Sequence, residues 1–151
     1  METGLKIYFA SAVRSVDVQQ STRPIIEILR GFGKVLTEHI PTVEGMGDTK
    51  ITDEEVYKRD LNWLYQADIV VANVSIPSLG VGYEIGIAEK LKPVVCIFDE
   101  NSPARLSAMI SGNANLTLIT FRNIDELERK LSDWFLRNFP KKFVSHQTGK
   151  E

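Results

Sequence analysis

The sequence predicts an α/β domain built on a parallel sheet with helices on both faces. Apolar stretches of strand length alternate with helical stretches about five times along the 151 residues. Two of the apolar stretches, 68–75 and 92–99, are nearly continuous, as is typical of strands covered on both sides. The length suits one domain with a sizeable core, so we expect a single domain over 1–151.

The strands are predicted from short apolar segments bounded by turn residues. They are expected at 5–12, 34–39, 68–75, 92–99 and 115–121. A polar segment with two glycines and a proline, 40–50, is predicted to be a loop. The polar end of the chain, about 140–151, is expected to be a flexible tail.

The helices are predicted from apolar residues at helical spacing and from their end signals. They are expected within 17–33, 52–67, 82–91, 104–111 and 124–139. In the second helix Thr52 and Glu55 have the spacing of a capping box. Gly31 and Gly33 are expected to stop the first helix. The apolar stripes are Ile25, Ile28, Leu29 and Phe32 in the first helix, and Ile124, Leu127, Leu131 and Trp134 in the last.

Composition excludes several classes of function. A net charge of −2 does not indicate a nucleic-acid surface or an anionic membrane as partner. No segment has the ~20 apolar residues of a membrane span. The single cysteine, Cys96, fits a reducing compartment, so we expect a cytoplasmic and also nuclear location. His39 and His146 form no cluster with metal-ligand spacing, and we expect no metal and no cofactor.

Glu84 follows the glycine-rich segment 78–82, after the third predicted strand. In open parallel sheets, ligands bind outside the carboxyl ends of the strands, where the strand order reverses. We place Glu84 in the first helical turn, where the helix dipole favours an ionised carboxylate that can act as a nucleophile or base. Tyr8, in the first strand, can orient it. The alternatives are a glutamate that only caps the helix and a core tyrosine.

Asp60 lies on the apolar stripe of the second predicted helix. It is four residues after Val56 and four before Leu64. A carboxyl group there would be desolvated and partly protonated. One ionised and one protonated carboxyl group are the equipment for cleaving a glycosidic bond. The alternative is that Asp60 pairs with Arg59 or Lys58, or reaches solvent at the edge of the stripe.

The glycine-rich segment also offers an anion site. It supplies the Ser78 hydroxyl and the amides of Gly80 and Gly82 at the start of a helix. It is neither a Walker A loop nor a GxGxxG fingerprint. Arg14, in the loop after the first strand, can bind a phosphate through two hydrogen bonds or can be a solvated surface residue. A phosphate held here would leave Glu84 free to contact a sugar.

Four segments occur in the order and at the spacing of one enzyme family: KIYFASAVR, GKVLTEH, RDLNWLYQADIVVANVSIPSLGVGYEIG and RLSAMISG. Through them the chain resembles the 2'-deoxynucleoside 5'-monophosphate N-glycosidases, which are close relatives of the nucleoside 2-deoxyribosyltransferases. The likeness covers about residues 5–138. It is specific because DLNWL, ADIVVA, PSLGVGYE and LSAMI occur together.

The resemblance implies a Rossmann-like, five-stranded parallel sheet and a homodimer whose active sites are completed across the interface. It implies that Glu84 forms a covalent 2-deoxyribosyl 5-phosphate enzyme, that Asp60 assists departure of the base and that Tyr8 orients the nucleophile. The implied phosphate-binding positions are Arg14, Ser78, the amide of Gly80 and Ser107 from the partner subunit. The implied walls around the base are Val13, His39, Val56 and Met109.

One position departs from the family pattern. Family members commonly have a glycine and then a serine where this chain has Ser11 and Ala12. The phosphate-contacting hydroxyl is therefore absent at Ala12, and Ser11 points the other way if the segment is extended. Phosphate binding would then depend more on backbone amides.

The implied reaction is hydrolysis of 2'-deoxynucleoside 5'-monophosphates to a free base and 2-deoxyribose 5-phosphate. One alternative is a transferase that exchanges bases on unphosphorylated deoxynucleosides. Another is a non-catalytic nucleotide-binding module. Ser78, Arg14 and Ser107 favour the phosphorylated substrate, and the presence of Glu84 and Asp60 disfavours the module.

Overall fold

The computed structural model describes residues 4–12, 16–37 and 51–143. The strands in these ranges are β1 (Lys6–Ala10), β2 (Lys34–Val35), β3 (Ile69–Asn73), β4 (Val94–Asp99) and β5 (Thr117–Phe121). The helices are α1 (Val16–Arg30), α2 (Asp53–Gln66), α3 (Leu79–Ala88), α4 (Ala108–Ser111), α5 (Ile124–Asn138) and α6 (Pro140–Phe143). None of the described helices is long and apolar enough to traverse a lipid bilayer.

The described strands form one parallel five-stranded sheet in the order β2-β1-β3-β4-β5. This confirms the predicted fold class. The chain moves outward from β1 to β2 and then returns to β3 on the other side of β1. The strand order therefore reverses between β1 and β3, which is where ligands bind in folds of this kind.

Two apolar cores, one on each face, hold the helices to the sheet. Ile7 and Phe9 belong to the core that includes residues of α1 and α5. Tyr8 and Ala10 belong to the opposite core, with residues of α2 and α3. Because side chains alternate along a strand, the register of β1 decides that Tyr8 faces α2 and α3.

The helix boundaries confirm most end signals and correct one. α2 starts behind Thr52, which forms the predicted capping box with Glu55, and α1 ends at Arg30, before Gly31. α3, however, starts at Leu79 instead of residue 82, because Ser78 caps it by accepting a hydrogen bond from the Val81 amide.

The predicted apolar stripes are confirmed with one addition. Ile25 and Leu29 of α1, and Leu127 and Leu131 of α5, are buried. Phe135 of α5, which the predicted stripe omits, is also fully buried and stacks on Phe32, with the ring centroids 4.4 Å apart. The segment 38–50 and the residues after 143 lie outside the described part of the chain.

A side chain continues the short second strand. β2 has only two residues, and the Thr37 hydroxyl then takes over the pairing with β1. It accepts a hydrogen bond from the Phe9 amide at 3.1 Å and donates one to the Phe9 carbonyl at 2.9 Å. Both partners are buried, so these bonds satisfy backbone groups that have no access to water. They fix β1 immediately beside Tyr8.

We expect Thr37→Val to lower the free energy of unfolding by about 2 kcal/mol, because two buried backbone groups of Phe9 lose their partner without a change in side-chain shape. Urea denaturation measures this loss. Thr37→Ser, which keeps the hydroxyl, is the control and should lose less. Equal stability of the valine variant and the wild type would show that these bonds contribute nothing.

Candidate active site

Glu84 lies in the second turn of α3, on the flank of its buried side. The buried residues of this helix are Val81, Ile85 and Ala88, so Glu84 is three residues after one and four before another and faces the sheet. The expectation that it occupies the first turn is wrong, because α3 starts at Leu79. The helix dipole acts mainly within the first turn and therefore does not govern this carboxylate.

The Glu84 carboxylate is desolvated. Its Oε2 atom is buried and has no hydrogen-bond partner among the described residues. Burial raises its pKa to about 7, a hydrogen bond from Tyr8 opposes this rise, and the charge of Asp60 adds to it. The expectation of a permanently ionised Glu84 is therefore wrong. The group exchanges its proton near neutrality, in the range where a catalytic carboxyl group is useful.

Tyr8 lies beneath Glu84 in the sheet and is 1% exposed. Burial raises the pKa of its hydroxyl above the ordinary value, and the negative charge of Glu84 raises it further. Tyr8 therefore stays protonated and can donate a hydrogen bond to the carboxylate. The structure thus brings Tyr8 into the place that the sequence predicts for it.

Asp60 lies close enough to this pair to act on both through its charge. Its Oδ1 accepts a hydrogen bond from Nε of Arg59 at 2.9 Å, and its side chain is 20% exposed. Asp60 is therefore paired with Arg59, which is the alternative that the sequence left open. It is not an unpaired carboxyl group on the apolar stripe.

A cleft of about 550 Å³ brings together another part of the predicted site. Ser78, Ser107 and Met109 line it, with the start of α3 on one side and α4 on the other. Ser78 caps α3, and Ser107 caps α4 by accepting a hydrogen bond from the Met109 amide. Each hydroxyl can still donate a hydrogen bond to an anion. Tyr8, Asp60 and Glu84 do not line this cleft.

The remaining predicted residues are placed as follows. Gly80 lies in the first turn of α3, where backbone amides lack helical acceptors. Val56 is half-buried on α2, one turn before Asp60. Ser11 and Ala12 follow β1 and are half-buried. Val13, Arg14 and His39 lie outside the described residues.

Two arginines belong to this region although the sequence analysis gave them no role in the site. Arg105 is the one charged residue among those that line the cleft. It stands in the loop after β4, two residues before Ser107, and a cation in a strand-to-helix loop was the available signal. Arg59 pairs with Asp60, and its guanidinium carbon is 5.0 Å from the centroid of the Trp63 ring. The contact between Arg59 and Trp63 could have been predicted from the sequence, because the two residues are four positions apart on one helix.

The chain is similar to known proteins over most of its length. Residues 7–141 match the family model of the nucleoside 2-deoxyribosyltransferases. The chain belongs to this family. Across 146 residues it is 40% identical to the 5-hydroxymethyl-dUMP N-hydrolase of Rattus norvegicus, a match that covers 92% of this chain and 90% of the relative. The enzyme of the same name from Tetraodon nigroviridis is 42% identical over 139 residues, 87% of this chain and 97% of the relative.

Two solved structures share the fold. A CMP N-glycosidase from Clostridium botulinum superposes with a TM-score of 0.61 at 18% identity and covers 84% of this chain and 98% of its own. A 2-deoxyribosyltransferase from Bacillus psychrosaccharolyticus has the same TM-score at 24% identity, with 82% and 90% covered. At this level of identity the likeness supports the five-stranded architecture and nothing finer.

We expect the Glu84→Gln variant of this protein to be more stable than the wild type above neutral pH. The pKa of Glu84 is raised from 4.5 to about 7 in the folded protein, so the folded state binds this proton more tightly than the unfolded chain. The contribution of this proton to stability is complete below about pH 4.5 and is lost as pH rises through 7. The difference between the variant and the wild type should grow by about 2 to 3 kcal/mol between pH 4.5 and pH 8.

Urea denaturation at several pH values measures this difference. Glu89→Gln, at the C-terminal cap of the same helix, is the matched control for the loss of a carboxylate. A difference between Glu84→Gln and the wild type that stays constant with pH would contradict the desolvated carboxylate.

Proposed function

We propose that this protein is a hydrolase that cleaves the N-glycosidic bond of 2'-deoxynucleoside 5'-monophosphates, with a free base and 2-deoxyribose 5-phosphate as products. The observation that carries the proposal is the buried Glu84 Oε2, which has no hydrogen-bond partner within 4–12, 16–37 and 51–143 and lies beside Tyr8 and Asp60. The N-hydrolase names of relatives that match over almost their whole length support the same reaction.

Glu84 is the nucleophile in this mechanism. Its ionised carboxylate attacks C1' of the deoxyribose, a C–O bond forms, and the C1'–N bond breaks with its electron pair on the base. The Tyr8 hydroxyl holds the carboxylate in the attacking direction. The transition state resembles an oxocarbenium ion, which forms more easily in deoxyribose because no electron-withdrawing 2'-hydroxyl is present.

Asp60 is the group that assists departure of the base: in its protonated form it donates one proton to the base as the C1'–N bond breaks. A water molecule then attacks C1' of the glycosyl-glutamate intermediate, gives one proton to the Asp60 carboxylate and releases Glu84 as a carboxylate. Both groups return to their starting states, and each cycle consumes one water molecule.

The cleft at the start of α3 suits the 5'-phosphate. Its α3 side offers the Ser78 hydroxyl, and its α4 side carries the Ser107 hydroxyl and the Arg105 guanidinium, which reach the phosphate at the partner's site when two copies meet across the cleft. The first-turn amides of α3, including that of Gly80, add donors at the positive end of the helix. Ser78 and Glu84 are six residues apart, about 9 Å along the helix. A sugar phosphate and its contacts can span that distance.

Base exchange on unphosphorylated deoxynucleosides is the second candidate. The description of the family model, nucleoside 2-deoxyribosyltransferase, supports this reaction. Both reactions use the same covalent intermediate and differ in the acceptor, which is water or a second base. The three phosphate donors in the cleft favour the hydrolase.

We also propose that the protein is a homodimer with shared active sites. Leu79 and Met109 line the cleft and are 96% and 81% exposed, which favours their burial against a second copy. Ile85 lines the cleft, whereas Glu84 lies about 100° further around α3. Ser107 and the nucleophile of one subunit therefore lie on different flanks of the helix, which supports a role for Ser107 at the partner's site.

A cytoplasmic and nuclear location is part of the same proposal. The single cysteine, Cys96, is a free and buried thiol, which suits a reducing compartment.

Replacement of the nucleophile tests the reaction. We expect Glu84→Ala to reduce release of free base from a deoxynucleoside monophosphate at least 1,000-fold, on the order of other lost nucleophiles, with nucleotide binding retained. Chromatography of the free base measures turnover, and calorimetry measures binding. Glu89→Ala is the matched control. Turnover close to that of the wild type in Glu84→Ala would overturn the assignment and leave the non-catalytic nucleotide-binding module as the better description.

Replacement of Ser107 tests both the phosphate and the dimer. Ser107→Ala should lower kcat/KM for a deoxynucleotide about tenfold, because a charge-assisted hydrogen bond is lost, and should leave the unphosphorylated deoxynucleoside unaffected. An equal loss for both substrates would assign Ser107 to packing. A wild-type preference for the nucleoside, with transfer to an added base, would favour the transferase.

Addition of excess Glu84→Ala protein to the Ser107→Ala protein should restore kcat/KM, because mixed dimers then contain one site with both groups intact. No recovery, with subunit exchange verified by mass spectrometry, would place Ser107 at the site of its own subunit.

A further inference from the structure

Arg59 occupies an unusual position on α2. It is bonded to Asp60, the next residue, although adjacent residues on a helix point about 100° apart. To reach Asp60, the arginine side chain must fold around the helix. The Trp63 ring, one turn further along the same face, lies against the guanidinium at 5.0 Å. The indole thus supports the arginine in the conformation that reaches Asp60.

Arg59, Asp60 and the Trp63 ring form what we call the clamp, and its ion pair is partly removed from solvent. The Arg59 and Asp60 side chains are 27% and 20% exposed, in contrast to the Lys58–Glu54 pair on the same helix, which is 70% and 73% exposed. Trp63 packs against the core that contains Tyr8. An ion pair at this depth is less screened by water than a surface pair.

The charge of Asp60 acts on the reacting carboxyl group. Among the described residues, the titratable or charged groups whose effect reaches Glu84 are Tyr8 from β1 and Asp60 from α2. The Asp60 charge raises the pKa values of both Glu84 and Tyr8. The Arg59 charge lowers that of Tyr8. Asp60 therefore opposes ionisation of the nucleophile, and Arg59 is the cation bonded to Asp60.

We propose that Arg59 is a positioning residue: clamped between Asp60 and the Trp63 ring, it fixes the direction of the Asp60 carboxylate and offsets its charge beside Glu84. Arg59 itself does not touch the substrate. The guanidinium suits this role better than an ammonium group, because it is planar, stacks on an aromatic ring and donates in a fixed direction.

The test measures the titration of the Glu84 carboxyl group by NMR in the ligand-free protein, and it therefore stays valid if the proposed hydrolase function fails. Arg59→Gln should move the titration midpoint up by about half a unit to one unit, the effect of one nearby, partly screened charge. Arg59→Lys should move it less, because the charge is kept. Lys58→Gln, which removes an exposed cation from the same helix, should leave it unchanged.

The role in the reaction rests on the proposed function and has a second readout. In Arg59→Gln the rising limb of the kcat/KM profile should shift to higher pH by the same amount, so that activity falls about three- to tenfold at pH 6 and recovers by pH 9. In an Asp60→Asn background the Arg59→Gln shift should shrink, because Arg59 then no longer holds a carboxylate beside Glu84 and only its direct effect on Glu84 remains.

Two outcomes would overturn the proposal. One is an unshifted Glu84 titration in Arg59→Gln with the fold intact by circular dichroism. The other is a shift of equal size in the presence and absence of Asp60, which would mean that Arg59 acts on Glu84 without Asp60. A uniform rate loss at all pH values, with no shift, would assign Arg59 a purely structural role.

Discussion

The burial of one carboxylate is the constraint on which the rest of this site depends. Glu84 faces a sheet core, and one of its oxygens is buried with no hydrogen-bond partner among the residues that the structure describes. Such an arrangement opposes folding whenever the group is ionised, and proteins retain arrangements of this kind mainly at functional sites. Tyr8 beneath it and Asp60 beside it have opposite effects on its ionisation. Burial raises the pKa of Glu84 most, and with these two smaller effects it brings that pKa to about 7.

The topology explains why these groups meet. β1 and β3 lie at the reversal of strand order, and both face α2 and α3 with the same side of the sheet. Tyr8 comes from β1, Asp60 from α2 and Glu84 from α3, so three separate elements each provide one group. α3 also joins the two halves of the site. Ser78 at its start faces the cleft, and Glu84 in its second turn faces Tyr8 and Asp60.

The sequence by itself determined the architecture and supplied the candidates for the site. Continuous apolar strands alternating with helices fix a parallel sheet covered on both faces, since no other arrangement buries those strands. The capping box at Thr52 and Glu55 fixed the start of α2. The order of the segments that contain Tyr8, Asp60 and Glu84 indicated their chemistry. Short-range signals of this kind survive folding because they depend on neighbouring residues only.

Only the tertiary structure decided the protonation and the partners of those residues. The dipole argument for an ionised Glu84 failed because the Ser78 cap moved the start of α3 and because burial outweighed the remaining field. Periodicity placed Asp60 on the apolar stripe but did not show which neighbour pairs with it, and in the structure Arg59 does so. Arg105 was missed because its loop position alone does not show that it lines the same cleft as Ser78. Desolvation and ion pairing depend on groups brought together from distant parts of the chain, and the order of residues alone does not contain those distances.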